Sequence, residues 1–189
     1  MAELFVQMSV SLDGFVEDRA GAMDWFAGDG AFDHFLTATV RMIDGIVFGK
    51  KAYDLGAAYW PTAHEPAETP EVADQIDLMN SLPKYVLTHG AVDLSWRNSH
   101  AVGIDSIVRL KAEAKRPLAL FAGASAAQSL LEAGLVDELR LIRFPVLLGG
   151  GTPLFAADGR RRTMRPVATE HFEGGPTLTR YAFSGVGRP

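Results

Sequence analysis

Residues 118–155 read LALFAGASAAQSLLEAGLVDELRLIRFPVLLGGGTPLF, and the order of elements in this stretch decides the fold. Leu118 to Phe121 is an apolar run of the length of a short buried strand. Ala122-Gly123-Ala124-Ser125 follows, small residues where the chain must turn tightly. Ser125 is available as an N-cap for a helix that starts there or a residue or two earlier. Leu130, Leu131 and Leu135 give that helix an apolar face, and Gly134 stops it. After the polar corner Asp137-Glu138, a second strand begins at Leu139 and runs on to Val146-Leu147-Leu148, ahead of three glycines and Pro153-Leu154-Phe155. Strand, glycine turn, helix, strand is one βαβ unit. A helix that starts directly after a strand leaves backbone N–H groups free and carries partial positive charge. With no bulky side chain from Ala122 to Ala124, a phosphate can approach those groups closely. The same small residues also serve simply to pack helix on strand, and one glycine turn does not separate the two readings.

Working outward, Leu4 to Leu12 is an apolar-rich strand, Asp13-Gly14 a turn, and Phe15-Val16 an extended continuation. Phe32, Phe35, Leu36, Val40 and Ile43 recur at helical spacing, which predicts an amphipathic helix over 31–43. Ile46-Val47-Phe48 is a short buried strand ending at Gly49, with a short helix over Lys50 to Leu55 running off it. Residues 60–70 hold three prolines and no apolar period, and read as a loop, a candidate lid beside a site. A helix over Glu71 to Ser81, a strand at Tyr85-Val86-Leu87, a short strand near Ala101-Val102 and a helix over 105–115 lead into the central unit. Met164 to Phe172 and Thr177 to Phe183 read as two antiparallel strands joined through Gly174-Gly175-Pro176. The whole is a three-layer α/β arrangement: a central mixed, mostly parallel sheet flanked by helices, with a C-terminal antiparallel hairpin.

The chain has 189 residues, 48% of them hydrophobic, which suits one sizeable core and a single domain over 1–185 with a tail at 186–189. A net charge of −5 argues against a nucleic-acid surface. The absence of cysteine excludes disulfides, thiolate metal sites and a cysteine nucleophile. None of the five histidines has a second ligand at metal spacing, so no metal site is expected. The start, MAELFVQMSVSLDG, lacks the basic-then-apolar pattern of a secretory signal, and no apolar stretch approaches membrane-spanning length. A cytoplasmic protein acting on a small molecule, with neither nucleic acid nor membrane as partner, is the expectation.

Several pieces, in order, resemble one family. They are Ser9-Val10-Ser11-Leu12-Asp13-Gly14-Phe15, then Asp44 to Asp54, then Lys84-Tyr85-Val86-Leu87-Thr88, then Leu130 to Leu139 through Pro145-Val146-Leu147-Leu148-Gly149 to Leu154-Phe155. Together they resemble the dihydrofolate reductase-like superfamily, in the branch of the C-terminal reductase domain of bacterial riboflavin biosynthesis (RibD). The deaminase domain that precedes the reductase in the bifunctional form has no counterpart in these 189 residues. The resemblance implies a nicotinamide site, NADPH as cofactor and a homodimer. Position by position it implies cofactor contacts at Gly49, Lys50 and Lys51, at Thr88 and His89, and at Ala122, Gly123, Ala124, Ser125 and Ala126. The chain departs from the family pattern in having Ala122-Gly123 for a double glycine, Lys50 and His89 for two strand-end arginines, and Phe121 for an acidic residue. Lysine is a point charge rather than a planar fork, so the grip on an extra phosphate is altered. The missing acid argues against the ribitylaminopyrimidine substrate.

Two carboxylates are the candidate catalytic groups. Asp33, on the first predicted helix, is spaced before Gly49 as the substrate-binding acid of dihydrofolate reductase is, and also suits a helix start. Asp13 lies in an Asp-Gly pair that is first of all a turn signal. Trp25 and Trp60 are candidates to wall a flat substrate, and Tyr53 either touches the cofactor or packs its helix. The resulting expectation is an NADPH-dependent reductase delivering hydride to a small heterocyclic or carbonyl-type acceptor. True dihydrofolate reductase activity is a narrower form that requires Asp33 buried in the pocket. The rival is a non-catalytic dimeric ligand- or nucleotide-binding protein that kept the fold.

Overall fold

The computed structural model describes residues 1–26, 30–63 and 70–183. Eight strands make one sheet in the order β5-β4-β3-β6-β1-β7-β10-β9. These are β1 (Leu4–Val10), β3 (Gly45–Gly49), β4 (Lys84–Leu87), β5 (Ser99–Val102), β6 (Leu118–Leu120), β7 (Glu138–Arg143), β9 (Met164–His171) and β10 (Thr177–Phe183). From β5 to β7 every neighbouring pair is parallel, and β10 and β9 then add an antiparallel edge. A separate ribbon pairs β2 (Phe15–Glu17) with β8 (Thr152–Pro153). The helices are α1 (Gly30–Arg41), α2 (Lys50–Tyr59), α3 (Pro70–Ser81), α4 (Ser106–Glu113) and α5 (Ala124–Glu132).

Strand β1 shows why both faces are covered. Leu4, Val6, Met8 and Val10 join one core with Ile107 and Leu110 of α4 and Ala127 and Leu130 of α5. Phe5, of opposite parity, joins the other core with Val40 of α1, Tyr53 of α2 and Met79 of α3. A strand buried on both faces reads as a near-continuous apolar run, and β1 does so except at Gln7 and Ser9. The βαβ unit is β6-α5-β7, and β1 lies between its two strands, parallel to both.

The structure corrects several boundaries. β7 ends at Arg143 instead of running to Leu148, because Pro145 has no N–H for a ladder. Helix α5 is capped by Gly123, at φ 101°, rather than by Ser125. Helix α2 extends to Tyr59, a turn beyond Leu55. The β2–β8 ribbon has no sequence signature of its own: two residues of β8 pair only because the chain returns past β2. Most of the candidate lid over 60–70 falls outside the described residues, as does the tail at 186–189.

Candidate functional site

The parallel strands end along one edge of the sheet, and helices α2 and α5 start there, directly after β3 and close after β6. Open α/β sheets place ligands at that edge. A cavity of about 1210 Å³ occupies it, lined by residues from the middle of β1 onward, from the ends of β3, β4 and β6, from the starts of α2 and α5, and from α1.

Its outer half is made of backbone. The N-caps of α2 and α5 are both glycines, Gly49 and Gly123, and neither helix start receives a side-chain capping bond. Their first-turn N–H groups therefore remain available to a ligand. A methyl group on Gly49 would lie 3.1 Å from the Ala126 Cβ, and one on Gly123 would lie 3.6 Å from the Gly49 nitrogen. The two helix starts thus sit against each other, which concentrates their positive ends at one place. Gly123 also needs its φ of 101°, a left-handed value that other residues rarely adopt. Ala122, standing where the family has its first glycine, is not among the described residues with positive φ, so its methyl group is accommodated without strain.

Around this cradle stand the charged groups. Lys50 Nζ lies 2.5 Å from Asp54, and Lys51 Nζ lies 2.7 Å from Glu17. Glu17, on β2, also accepts a hydrogen bond of 2.7 Å from the Thr152 hydroxyl on β8. The Lys51 bond, then the Thr152 bond, hold its carboxyl below the usual range, so it is an anion at neutral pH. Thr88 and the exposed His89 close the side formed by β4, with the Thr88 hydroxyl and Gly90 bonded to each other. Gly49, Lys50, Lys51, Thr88, His89 and Ala122 to Ala126 all line this one cavity.

The inner half is made of side chains. Phe32, Leu36 and Val40 of α1, spaced by four, face Ile142 of β7 and Gln7 and Ser9 of β1 across it, with Phe48, Met79 and Phe121 as further apolar wall. Trp60 and Tyr59 stand on its border. Trp25 instead packs edge-on against Phe144 with ring centres 5.6 Å apart. Tyr53 is core: it is 1% exposed, and its hydroxyl accepts the Trp96 N–H at 3.2 Å.

Neither candidate acid lines the cavity. Asp33 is exposed in the first turn of α1, one position and therefore about 100° round the helix from Phe32, which faces inward. The buried acid that dihydrofolate reductase activity would require is thus not on the wall. Asp13 accepts the Ser11 hydroxyl at 2.7 Å and the N–H groups of Leu148 and Gly149 at 3.1 and 2.8 Å. The Ser11 bond leads in lowering its pKa, and the group clamps the β1–β2 turn to the glycine loop after β7. The lining residues missed in the sequence are Glu17, Gln7 and the α1 face. The period of α1 was readable, but its phase relative to the sheet was not. Glu17 becomes a site residue only through the unsignalled β2–β8 pairing.

A family model of the RibD C-terminal domain matches residues 2–178. The chain belongs to that family. It is 32% identical over 184 residues to the uncharacterized protein YyaP of Bacillus subtilis (strain 168), covering 96% of this chain and 95% of that protein. It is similar to a solved structure from Shewanella sp. PV-4 provisionally assigned to riboflavin biosynthesis, at 25% identity and a TM-score of 0.72, covering 98% of this chain and all of that one. A Thermotoga maritima diaminohydroxyphosphoribosylaminopyrimidine deaminase/5-amino-6-(5-phosphoribosylamino)uracil reductase shares the fold at 12% identity and a TM-score of 0.68, over 96% of this chain and 56% of that one. The RibD C-terminal, dihydrofolate reductase-like fold expected from the sequence is therefore the fold observed. No helix among the described residues is long and apolar enough to cross a membrane.

Proposed function

We propose that this RibD C-terminal domain protein is a reductase that binds NADPH across the two glycine-capped helix starts and reduces a small planar acceptor in the apolar inner half of the cavity. The observation that carries this reading is the meeting of two uncapped helix N-termini at Gly49 and Gly123, opening on a cavity larger than the roughly 300–1,000 Å³ of an ordinary small-ligand site. Backbone N–H groups, lysines and a hydroxyl at one end, and an apolar slot at the other, fit a dinucleotide whose phosphates lie outward and whose nicotinamide lies inward. NADPH bound there supplies the hydride.

The chain's own residues bind, orient and exclude water. Gly123 and Gly49 let the pyrophosphate approach the N–H groups of α5 and α2. Lys50, Lys51, Thr88 and His89 stand where the adenosine phosphate would lie. Phe48, Phe121, Ile142 and the α1 face hold two flat rings against each other, which is the main service a protein gives to hydride transfer. Glu17, ionised and bonded to Lys51 and Thr152, is no proton donor at neutral pH.

The rival of a non-catalytic nucleotide-binding protein draws support from one observation: both candidate phosphate-binding lysines are already paired with carboxylates. A homodimer fits the edge strand β9, where every residue after Met164 is exposed in the single chain. Such an edge is ordinarily covered or paired. The deciding experiment titrates purified protein with NADPH and NADH and then follows cofactor consumption over a panel of cyclic imines, lactams and conjugated carbonyls. Tight binding with turnover is the expected result. Tight binding with no turnover favours the rival, and no binding of either nucleotide overturns the reading.

A further inference from the structure

We infer that the carboxamide of Gln7 is the recognition group of the inner chamber, and that it reads an amide-type edge, a –CO–NH– or –CO–NH2 group, on the molecule bound there. The inference rests on the cavity described above and deepens its proposed role by naming the chemistry the inner half selects.

Gln7 sits in the middle of β1, near the centre of the sheet. Its neighbours Val6 and Met8 belong to the core on the α4–α5 side, and strand alternation puts Gln7 on the opposite face with Phe5. It is 2% exposed, yet it lines the cavity. Its Oε1 is fully buried and has no hydrogen-bond partner. A buried carbonyl oxygen left in that state is destabilising, because it has lost its water and gained no donor, and such orphans are rare in folded proteins.

The surroundings show why nothing in the chain satisfies it. Its register partner on β7 is Arg140, the nearest strong donor by position. Arg140 is committed elsewhere: its guanidinium stacks 3.6 Å over the Phe5 ring and bonds Glu138, which is also held by Arg180 at 2.8 Å. The apolar walls of the inner half, Phe32, Leu36, Val40, Phe48, Phe121 and Ile142, have no side-chain donors to offer, and the Ser9 hydroxyl, two residues along β1, makes no bond to the Gln7 oxygen. A leucine would fill this position without an orphan. A carboxamide here is therefore a polar group held ready for something that enters the cavity, in the manner of the few placed polar groups of an otherwise apolar pocket.

The chemistry of the group narrows the ligand. A carboxamide is neutral and offers an acceptor oxygen beside a donor NH2. Its full complement is another amide edge, which donates one N–H and accepts at one C=O. A carboxylate or phosphate would meet the oxygen unfavourably, and a hydrocarbon ring would leave it unsatisfied. Two molecules carry such an edge into this chamber: the nicotinamide carboxamide of the cofactor, and a lactam ring as acceptor.

The test compares Gln7→Leu and Gln7→Glu with the wild type, using three probes: NADPH, 2′,5′-ADP, which has the phosphates but no carboxamide, and lumazine, a flat bicyclic lactam, titrated in the presence of NADP⁺. The expected result is that Gln7→Leu keeps or raises the melting temperature, since it removes an orphan, and leaves 2′,5′-ADP affinity unchanged. It should lose roughly tenfold in affinity for either NADPH or lumazine. Loss confined to NADPH names the cofactor carboxamide as the edge read. Loss confined to lumazine names the acceptor. Gln7→Glu should lose at least as much for the same probe, because the carboxylate cannot donate. Unchanged affinity for both probes in Gln7→Leu overturns the inference while leaving the reductase reading intact. A fall in melting temperature with equal losses for all three probes also overturns it, as that is the mark of a structural residue. Failure of the wild type to bind NADPH sinks the reductase reading alone if lumazine still binds in a Gln7-dependent way. Failure to bind any probe sinks both.

Discussion

The two halves of the cavity are built from different materials. The outer half is backbone: two glycine-capped helix starts pressed together where β3 and β6 end. The inner half is side chains: three residues of α1 set against three strands, with the buried carboxamide of Gln7 among them. A backbone site tolerates most changes in its neighbours but depends absolutely on the few residues that let the backbones approach. A side-chain site has no such fixed point, because each wall residue contributes shape and can be exchanged for another shape. The outer half should therefore fail abruptly and the inner half by degrees.

The largest effect tests the outer half. Gly123→Asp would force a non-glycine side chain to φ 101° and set a carboxylate among groups that attract anions. NADPH affinity should fall by about a hundredfold or more, each tenfold corresponding to about 1.4 kcal/mol. Circular dichroism should show the fold retained, since the Cβ of the new residue would lie no closer than 3.6 Å to its neighbours and the cost is confined to local strain in the turn. Unchanged affinity in calorimetry would remove the phosphate role from this turn.

The inner half calls for a change of shape. Leu36→Trp should fill the space between α1 and β7 without touching the helix starts. Turnover of any acceptor found in the screen should drop roughly tenfold or more, as pocket contacts of this size ordinarily command. Binding of 2′,5′-ADP should stay as it was. Equal loss of both would mean that the halves are not separate and that α1 supports the nucleotide end as well.

This division also explains what the sequence could disclose. Ala122 to Ser125 announced the turn because glycine and small residues between a strand and a helix carry a conformational meaning wherever they occur. Gly49 was legible for the same reason, and the mostly parallel sheet with its antiparallel edge followed from alternation of strands and helices before a final hairpin, while the order of the strands did not. A helical period fixes which residues share a face but not which face meets the cavity; Phe32, Leu36 and Val40 line it, while Asp33 is exposed and off its wall. Asp13 was legible as a turn residue, but its bonds to the N–H groups of Leu148 and Gly149, far along the chain, were not. Glu17 and Gln7 could not be singled out at all: one depends on a two-residue ribbon, the other on being a buried carboxamide that lines the cavity among apolar neighbours.

A control region lies at the opposite end of β4. Lys84 is fully buried, its ammonium donating to the carbonyls of Asn80, Leu82 and Arg97 and sitting 4.5 Å over the Trp96 ring. Burial drives its pKa from 10.5 down to about 8. Below the lowered value both folded and unfolded chains carry the charge, and the folded state bears the full cost of burying it. Above it the folded chain releases the proton while the unfolded chain keeps it, so stability rises with pH until the unfolded value is reached. From about pH 8 to about pH 9 the gain should be about 1 kcal/mol relative to Lys84→Met, read from urea unfolding of the two proteins side by side. Nucleotide affinity should not follow this curve. If it does, the sheet transmits the change to the cavity, and the independence of its two ends is lost.

The smallest effect is the most informative about cofactor choice. Lys50 is more than half exposed and already paired with Asp54, four residues along the same helix, at 2.5 Å. An exposed, pre-paired lysine has only part of its charge to offer, and screening by salt reduces it further. Lys50→Ala should therefore weaken NADPH by only about two- to fivefold, in keeping with the fractions of a kcal/mol that exposed ion pairs contribute, and NADH by less. Asp54→Asn should do the reverse, freeing the ammonium and tightening NADPH while leaving NADH unchanged. Opposite signs in these two variants would show that the helix pair meters the extra phosphate. Matching losses in NADPH and NADH for Lys50→Ala would mean that the lysine serves the pyrophosphate, and that this backbone-built end of the cavity has no side chain dedicated to telling the two nucleotides apart.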